Sequence, residues 1–100
     1  MLIAKNRKYF NSTLMRYEKK ILPEYFQKIL DGTKKYELRL ADWECSEGDI
    51  LVLKECHPEN QEPTGRIIEK KIIDIRKTKD LQFYSQEDIE KYGYQIISFE

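Results

Sequence analysis

From Met15 onward the chain switches repeatedly between helical and strand-like spacing of its apolar residues, and each switch marks an element. "MRYEKK" reads as a short strand entering the domain. In "ILPEYFQKILDG", Leu22, Phe26, Ile29 and Leu30 fall on one helical face, while Glu24, Gln27 and Lys28 point elsewhere. Pro23 suits the first helical position, whose amide needs no partner, and Gly32 suits a left-handed terminator. The pattern predicts an amphipathic helix of roughly three turns. Beyond it, Tyr36 and Leu38 alternate with Glu37 and Arg39, as in a strand.

"SEGD" then predicts a turn, and "ILVLKE" is apolar on both faces, as a central buried strand requires. The polar, proline-bearing "HPENQEPTG" is a loop. In "RIIEKKIIDIR" the phase shifts, since Ile68 and Ile72 share one parity and Ile73 and Ile75 the other. A bulge or bend near Ile72 explains the shift, as where a sheet curls into a barrel. Ser85 is placed to cap a short C-terminal helix, with Asp88 at its third position and Tyr84 able to staple against Ile89. Gly93 ends that helix, and "YQIISF" predicts a closing strand. The expected fold class is α+β: a small β-barrel of about five strands, with one main helix across one end and a short C-terminal helix.

Composition narrows the partners. A chain of 100 residues makes one domain. Its 18 basic and 18 acidic residues leave no net charge for holding a polyanion nonspecifically, so any nucleic-acid contact must be local. Met1 to Leu14 holds Lys5, Arg7 and Lys8 and no acid, so 15 basic residues face 18 acidic ones beyond it. Residues 1–14 are read as a basic N-terminal arm or leader, and 15–100 as the domain. Cys45 and Cys56 form no CxxC pair, and neither a signal-peptide core nor a run of roughly 20 apolar residues is present. A cytoplasmic protein without membrane partners is expected. Cys56 and His57 are neighbours, too close to ligate one metal together, so neither a metal nor a cofactor is expected.

The spacing Gly32, Lys34, Glu37, Arg39 resembles the GxKxxExR signature of ASCH domains, a branch of the PUA-like β-barrels. "KILPEYFQKILDGTKKYELR", "GDILVLKE" and the "TGR" ahead of an isoleucine strand resemble a compact bacterial and phage subgroup, over Met15 to Glu100. The resemblance implies a PUA-like barrel, with a cleft beside the first helix that receives the signature side chains. It also implies RNA as partner. Certain small ASCH enzymes remove the acetyl group from N-acetylcytidine, and those carry threonine where this chain has Glu37.

The expected function is therefore binding of RNA or a modified nucleoside by Lys34, Glu37, Arg39 and Trp43. Arg39 offers a planar fork for phosphate or a base edge, Glu37 holds it in place, and Trp43 offers a stacking face. One alternative is a small hydrolase, either an N-acetylcytidine amidohydrolase or a ribonuclease. There Glu37 would act as general base and Lys34 would stabilise an oxyanion. Lys34 as a base would have to titrate roughly 3 units below its usual value of about 10.4. A second alternative is a protein-interaction module, in which the octet braces the fold by a salt bridge. Independently of these readings, Trp43 could instead anchor its loop by plugging the barrel, and Tyr25 and Tyr36 are expected to be packing residues.

Overall fold

The computed structural model describes residues 14–100. Three strands form one sheet in the order β1-β2-β3: β1 is Arg16–Ile21, β2 is Ile50–Cys56 and β3 is Pro63–Lys71. β1 runs parallel to β2, and β3 antiparallel to it. Among the described residues two short helices complete the regular structure, α1 at Pro23–Leu30 and α2 at Gln86–Tyr92, with a 3-10 turn at Thr78–Asp80.

Register explains which residues are buried. Tyr17, Leu51 and Lys70 stand opposite one another, as do Lys19, Leu53 and Ile68, so these six side chains share a face. Ile21 continues that face, and Phe26 and Ile29 of α1 pack against it to make the core with Leu51 and Leu53. The other face pairs its charges across the strands, Arg16 with Glu69 and Glu18 with Lys54. β2 is buried on both faces, as its continuous apolar run predicts, because it is the middle strand.

α1 is shorter than its pattern suggests. Leu22 is the N-cap rather than a helical residue, and Leu22 and Leu30 are exposed, leaving Phe26 and Ile29 as the buried stripe. Its C-terminus is closed as the sequence implies. Gly32 sits at φ +84°, its amide bonds to the Ile29 carbonyl, and the Thr33 amide bonds to the Lys28 carbonyl. This paired closure is the Schellman motif. The Lys34 amide also reaches the Lys28 carbonyl at 3.0 Å, so the chain folds back under the helix end.

The barrel expectation is overturned. Among the described residues the sheet is open, with three strands, and none joins β3 back to β1 to close it. The segments expected to be further strands, around Tyr36–Arg39 and Tyr94–Phe99, form no ladder. Their alternation has no second face to bury: Leu40 is 81% exposed and Phe99 84%. The phase shift at Ile72 is a strand end rather than a bulge. β3 stops at Lys71, one further pair of bonds links Ile72 to Asp49 and Gly48, and Ile73 is already exposed. The register irregularity lies instead at the other end of the β2–β3 ladder, where the step from Lys54 to Cys56 on β2 faces the longer step from Ile67 to Pro63 on β3. The expected arm, residues 1–14, falls outside the described residues except for Leu14.

Two polar clamps fix the remaining connections. The buried Glu55 carboxylate accepts from the Thr64 hydroxyl at 2.6 Å and pairs with Arg66 at 3.3 Å, while Arg66 also reaches Gln27 and lies over the Phe26 ring. The "TGR" block thus ties β2 and β3 to α1. At α2, Ser85 accepts from the Asp88 amide as its sequence predicts, whereas the Tyr84 ring meets Tyr94 edge-on at 6.3 Å. Among the described residues, no helix is long and apolar enough to cross a membrane.

Candidate functional site

The backbone between α1 and β2, residues 31–49, contains no helix or strand, so polar side chains decide where it lies. Glu37 is their hub. One of its carboxylate oxygens accepts from the Lys34 ammonium at 2.9 Å and the other from Arg39 Nε at 2.7 Å. The three side chains are largely withdrawn from solvent, at 11%, 15% and 29% exposure for Lys34, Glu37 and Arg39. Lys34 also donates to the Tyr36 carbonyl at 2.7 Å, and Arg39 donates to the Lys20 carbonyl on β1. The fold-back behind Gly32 brings Lys34 level with Glu37, which strand alternation alone does not.

Partly buried cations beside a single carboxylate leave one positive charge in excess and a surplus of donors. An ammonium carries three N–H groups and a guanidinium five, and neither accepts. Lys34 uses two of its three, and Arg39 two of its five, among the described residues. One N–H on Lys34 and three on Arg39 remain. Glu37 already accepts at both oxygens. What the cluster can still bind is an acceptor: a phosphate, a carbonyl or a ring nitrogen.

Aromatic rings surround the cluster. The Lys34 ammonium lies 4.5 Å from the Tyr36 ring centre and 5.6 Å from that of Tyr25. Both tyrosines are exposed, so they flank the ammonium rather than fill the core as packing residues. Trp43 is half-buried, tilted against Tyr17 at 5.3 Å, with the Lys19 ammonium 4.0 Å from its ring centre. It packs on the core and anchors its loop, and one of its ring faces is taken by Lys19. Sequence reasoning missed Lys19, although its parity with Tyr17 and Ile21 puts it on the core face.

Lys34, Glu37, Arg39 and Trp43 all line one cavity of about 440 Å³. Its floor is Leu51, Leu53, Ile29 and Ile72. This size and this apolar lining with a few convergent polar groups suit a small-molecule or single-residue ligand. Lys77 pairs with Glu44 at 3.1 Å, joining the segment after β3 to the loop that carries Trp43. Cys45 also lines the cavity, and burial pushes its thiol pKa up, helped by the nearby Asp49 and Glu44 carboxylates. A thiol held in its protonated form is a poor nucleophile. His57 is exposed in its loop, away from this cavity. Among the described residues, no group of three or more His, Cys, Asp or Glu side chains is placed to hold a metal ion.

The family model for a domain of unknown function, DUF3850, matches residues 17–98, a span that contains the whole of this site. No curated protein and no solved structure matches the chain.

Proposed function

The chain belongs to the DUF3850 family, and on that premise we propose that its cleft binds RNA, or a modified nucleoside, through Lys34, Glu37, Arg39 and Trp43. The observation that carries this reading is the meeting of donor-only cations and an aromatic wall on one cavity with an apolar floor. A nucleoside answers each part. Its base is flat and apolar on its faces, and its carbonyls, ring nitrogens and phosphates are acceptors. Glu37 serves as the positioning group, holding Lys34 and Arg39 at fixed angles, and both cations face the ligand. The likeness of Gly32, Lys34, Glu37 and Arg39 to the ASCH signature supports the same assignment.

Trp43, the sole tryptophan, lies in the cavity wall and provides the test. Its fluorescence is titrated with N-acetylcytidine, with the four ribonucleoside monophosphates and with a mixed-sequence RNA pool. Saturable quenching is expected from at least one of these. Lys34→Met should weaken it at least tenfold, the scale of one lost charged hydrogen bond, while Lys34→Arg retains part of it. Absence of quenching by all of them would remove the reading. Release of acetate, or shortening of the RNA, would replace binding with hydrolysis.

A further inference from the structure

The cavity lining is far more basic than the chain. Seven of the 18 basic residues line it, against two of the 18 acidic ones, Glu37 and Asp74. A molecule of zero net charge therefore gathers an excess of positive charge around one opening, and this local field is what an approaching ligand meets. The octet supplies Lys34, Lys35 and Arg39. The rest come from the end of β3 and the segment after it, an independent part of the chain.

Lys70 is the informative one. Its register places it opposite Leu51, on the sheet face that carries the core, between Ile68 and Ile72, which pack against that core. An ordinary core row would have an apolar residue here. The chain instead presents an exposed ammonium at the cavity with no ion-pair partner among the described residues. Lys35, on the octet side of the cavity, is likewise exposed and unpaired among the described residues. Lys71 touches the cavity too, but its register places its side chain with Arg16 and Ile50 on the opposite face, so nothing rests on it here. Arg76 and Lys77 are partly spent on Asp74 and Glu44.

We propose that the ligand is a single-stranded RNA rather than a free nucleoside: one nucleotide occupies the cavity, and the phosphates flanking it lie on Lys35 and Lys70. This deepens, and rests on, the reading of the cavity as a nucleoside pocket. A cavity of about 440 Å³ has room for one nucleotide unit, so neighbouring phosphates must leave across its rim. The rim is where unpaired ammonium groups stand. The strand must be unpaired, because a base held in a duplex cannot enter such a pocket.

The experiment measures the affinity of the full chain for a pool of mixed-sequence RNA nonamers from 50 to 200 mM salt, beside uridine monophosphate and a duplex of the same length. Each phosphate neutralised on a single strand contributes about −0.7 to the slope of log K against log salt. Two contacts give a slope of about −1.4, which is about sevenfold tighter binding at the low end of that range. The double variant Lys35→Gln with Lys70→Gln should lose that part of the slope, and Lys91→Gln, away from the cavity, should change nothing. An unchanged slope in the double variant would overturn the proposal. So would a monophosphate that binds as tightly as the nonamer, or a duplex that competes equally. If monophosphates quench Trp43 alike in both proteins while the nonamer gains nothing, the pocket stands and the rim falls. If neither ligand binds, both fall together.

Discussion

The Arg39 guanidinium donates to the backbone carbonyl of Lys20, so a side chain of the long α1–β2 loop is fastened to strand β1. The same guanidinium donates to Glu37. Arg39 is therefore both a wall of the cleft and a strut of the fold. Arg39→Ala should lower stability as well as binding, by about 2 kcal/mol for its charged hydrogen bonds. In a domain of this size that corresponds to a fall in melting temperature of roughly 10 °C. A melt indistinguishable from wild type would show that the strut bears nothing.

Glu37 is more sensitive still. Removing its carboxylate leaves the Lys34 and Arg39 cations facing one another with little solvent to separate them. Glu37→Gln should cost about 3 kcal/mol, the scale for breaking a partly buried pair by deleting one partner. Lys34→Met alone should cost less, because Glu37 keeps Arg39. The double variant should regain part of the loss, so a double-mutant cycle by urea denaturation should return a non-zero coupling. Strict additivity would mean that the two groups do not act on each other.

Gly32 isolates a purely conformational effect. A Cβ built there meets nothing within 4 Å, yet the residue sits at φ +84°. Gly32→Ala should therefore destabilise by about 1 kcal/mol through local backbone strain, with no clash against the rest of the fold, and Gly32→Asn by less, since asparagine tolerates the left-handed region. Because this turn delivers Lys34, ligand affinity should fall with Gly32→Ala as well. Equal melting temperatures for all three proteins would contradict the role given to the helix closure.

The Arg16–Glu69 pair on the opposite sheet face predicts a pH dependence. Hydrogen bonding to Arg16 holds the Glu69 carboxyl below the usual carboxylate range. A depressed folded value means that the contribution is present in full above the unfolded value of about 4.3, and is lost as pH falls through the lower folded value. Melting curves of wild type and Glu69→Gln should differ at neutral pH and converge in acid, as the pH falls through the lowered folded value. The pair is solvent-exposed, so the difference should also shrink in high salt. A gap that persists in acid would assign the effect to something other than ionisation.

What could be read from the sequence was what depends on neighbours along the chain. Pro23 opening α1, Gly32 closing it, Ser85 capping α2 and the doubly buried β2 all follow from local sterics and hydrogen bonding. The gathering of Lys34 and Arg39 on Glu37 was partly legible too, because one turn and a short stretch of chain build it, whereas the cavity beside it was implied only by the resemblance. Strand partners were not. Alternation in Tyr36–Arg39 and in Tyr94–Phe99 reads the same whether or not another strand lies alongside, and here neither joins the ladder. In the first segment, Glu37 and Arg39 spend their polar groups on each other and on Lys20. Lys19 escaped notice for a related reason, and alternation put Lys70 and Lys71 on opposite faces without saying which of them meets the cleft. A lysine on the inner face becomes visible only once the register fixes which face is inner.

The order of strands in the sheet carries a consequence for assembly. β2 and β3 meet through a short connection, with Cys56 opposite Pro63, whereas β1 must wait for α1 and the whole following loop before it finds Ile50. Hairpin first, edge afterwards is the economical route, since distant segments close larger loops. In native-state hydrogen exchange, β1 amides should open at lower free energy than those shared by β2 and β3. The Lys20 carbonyl that receives Arg39 belongs to that edge, so on this route the cleft is completed only when β1 docks.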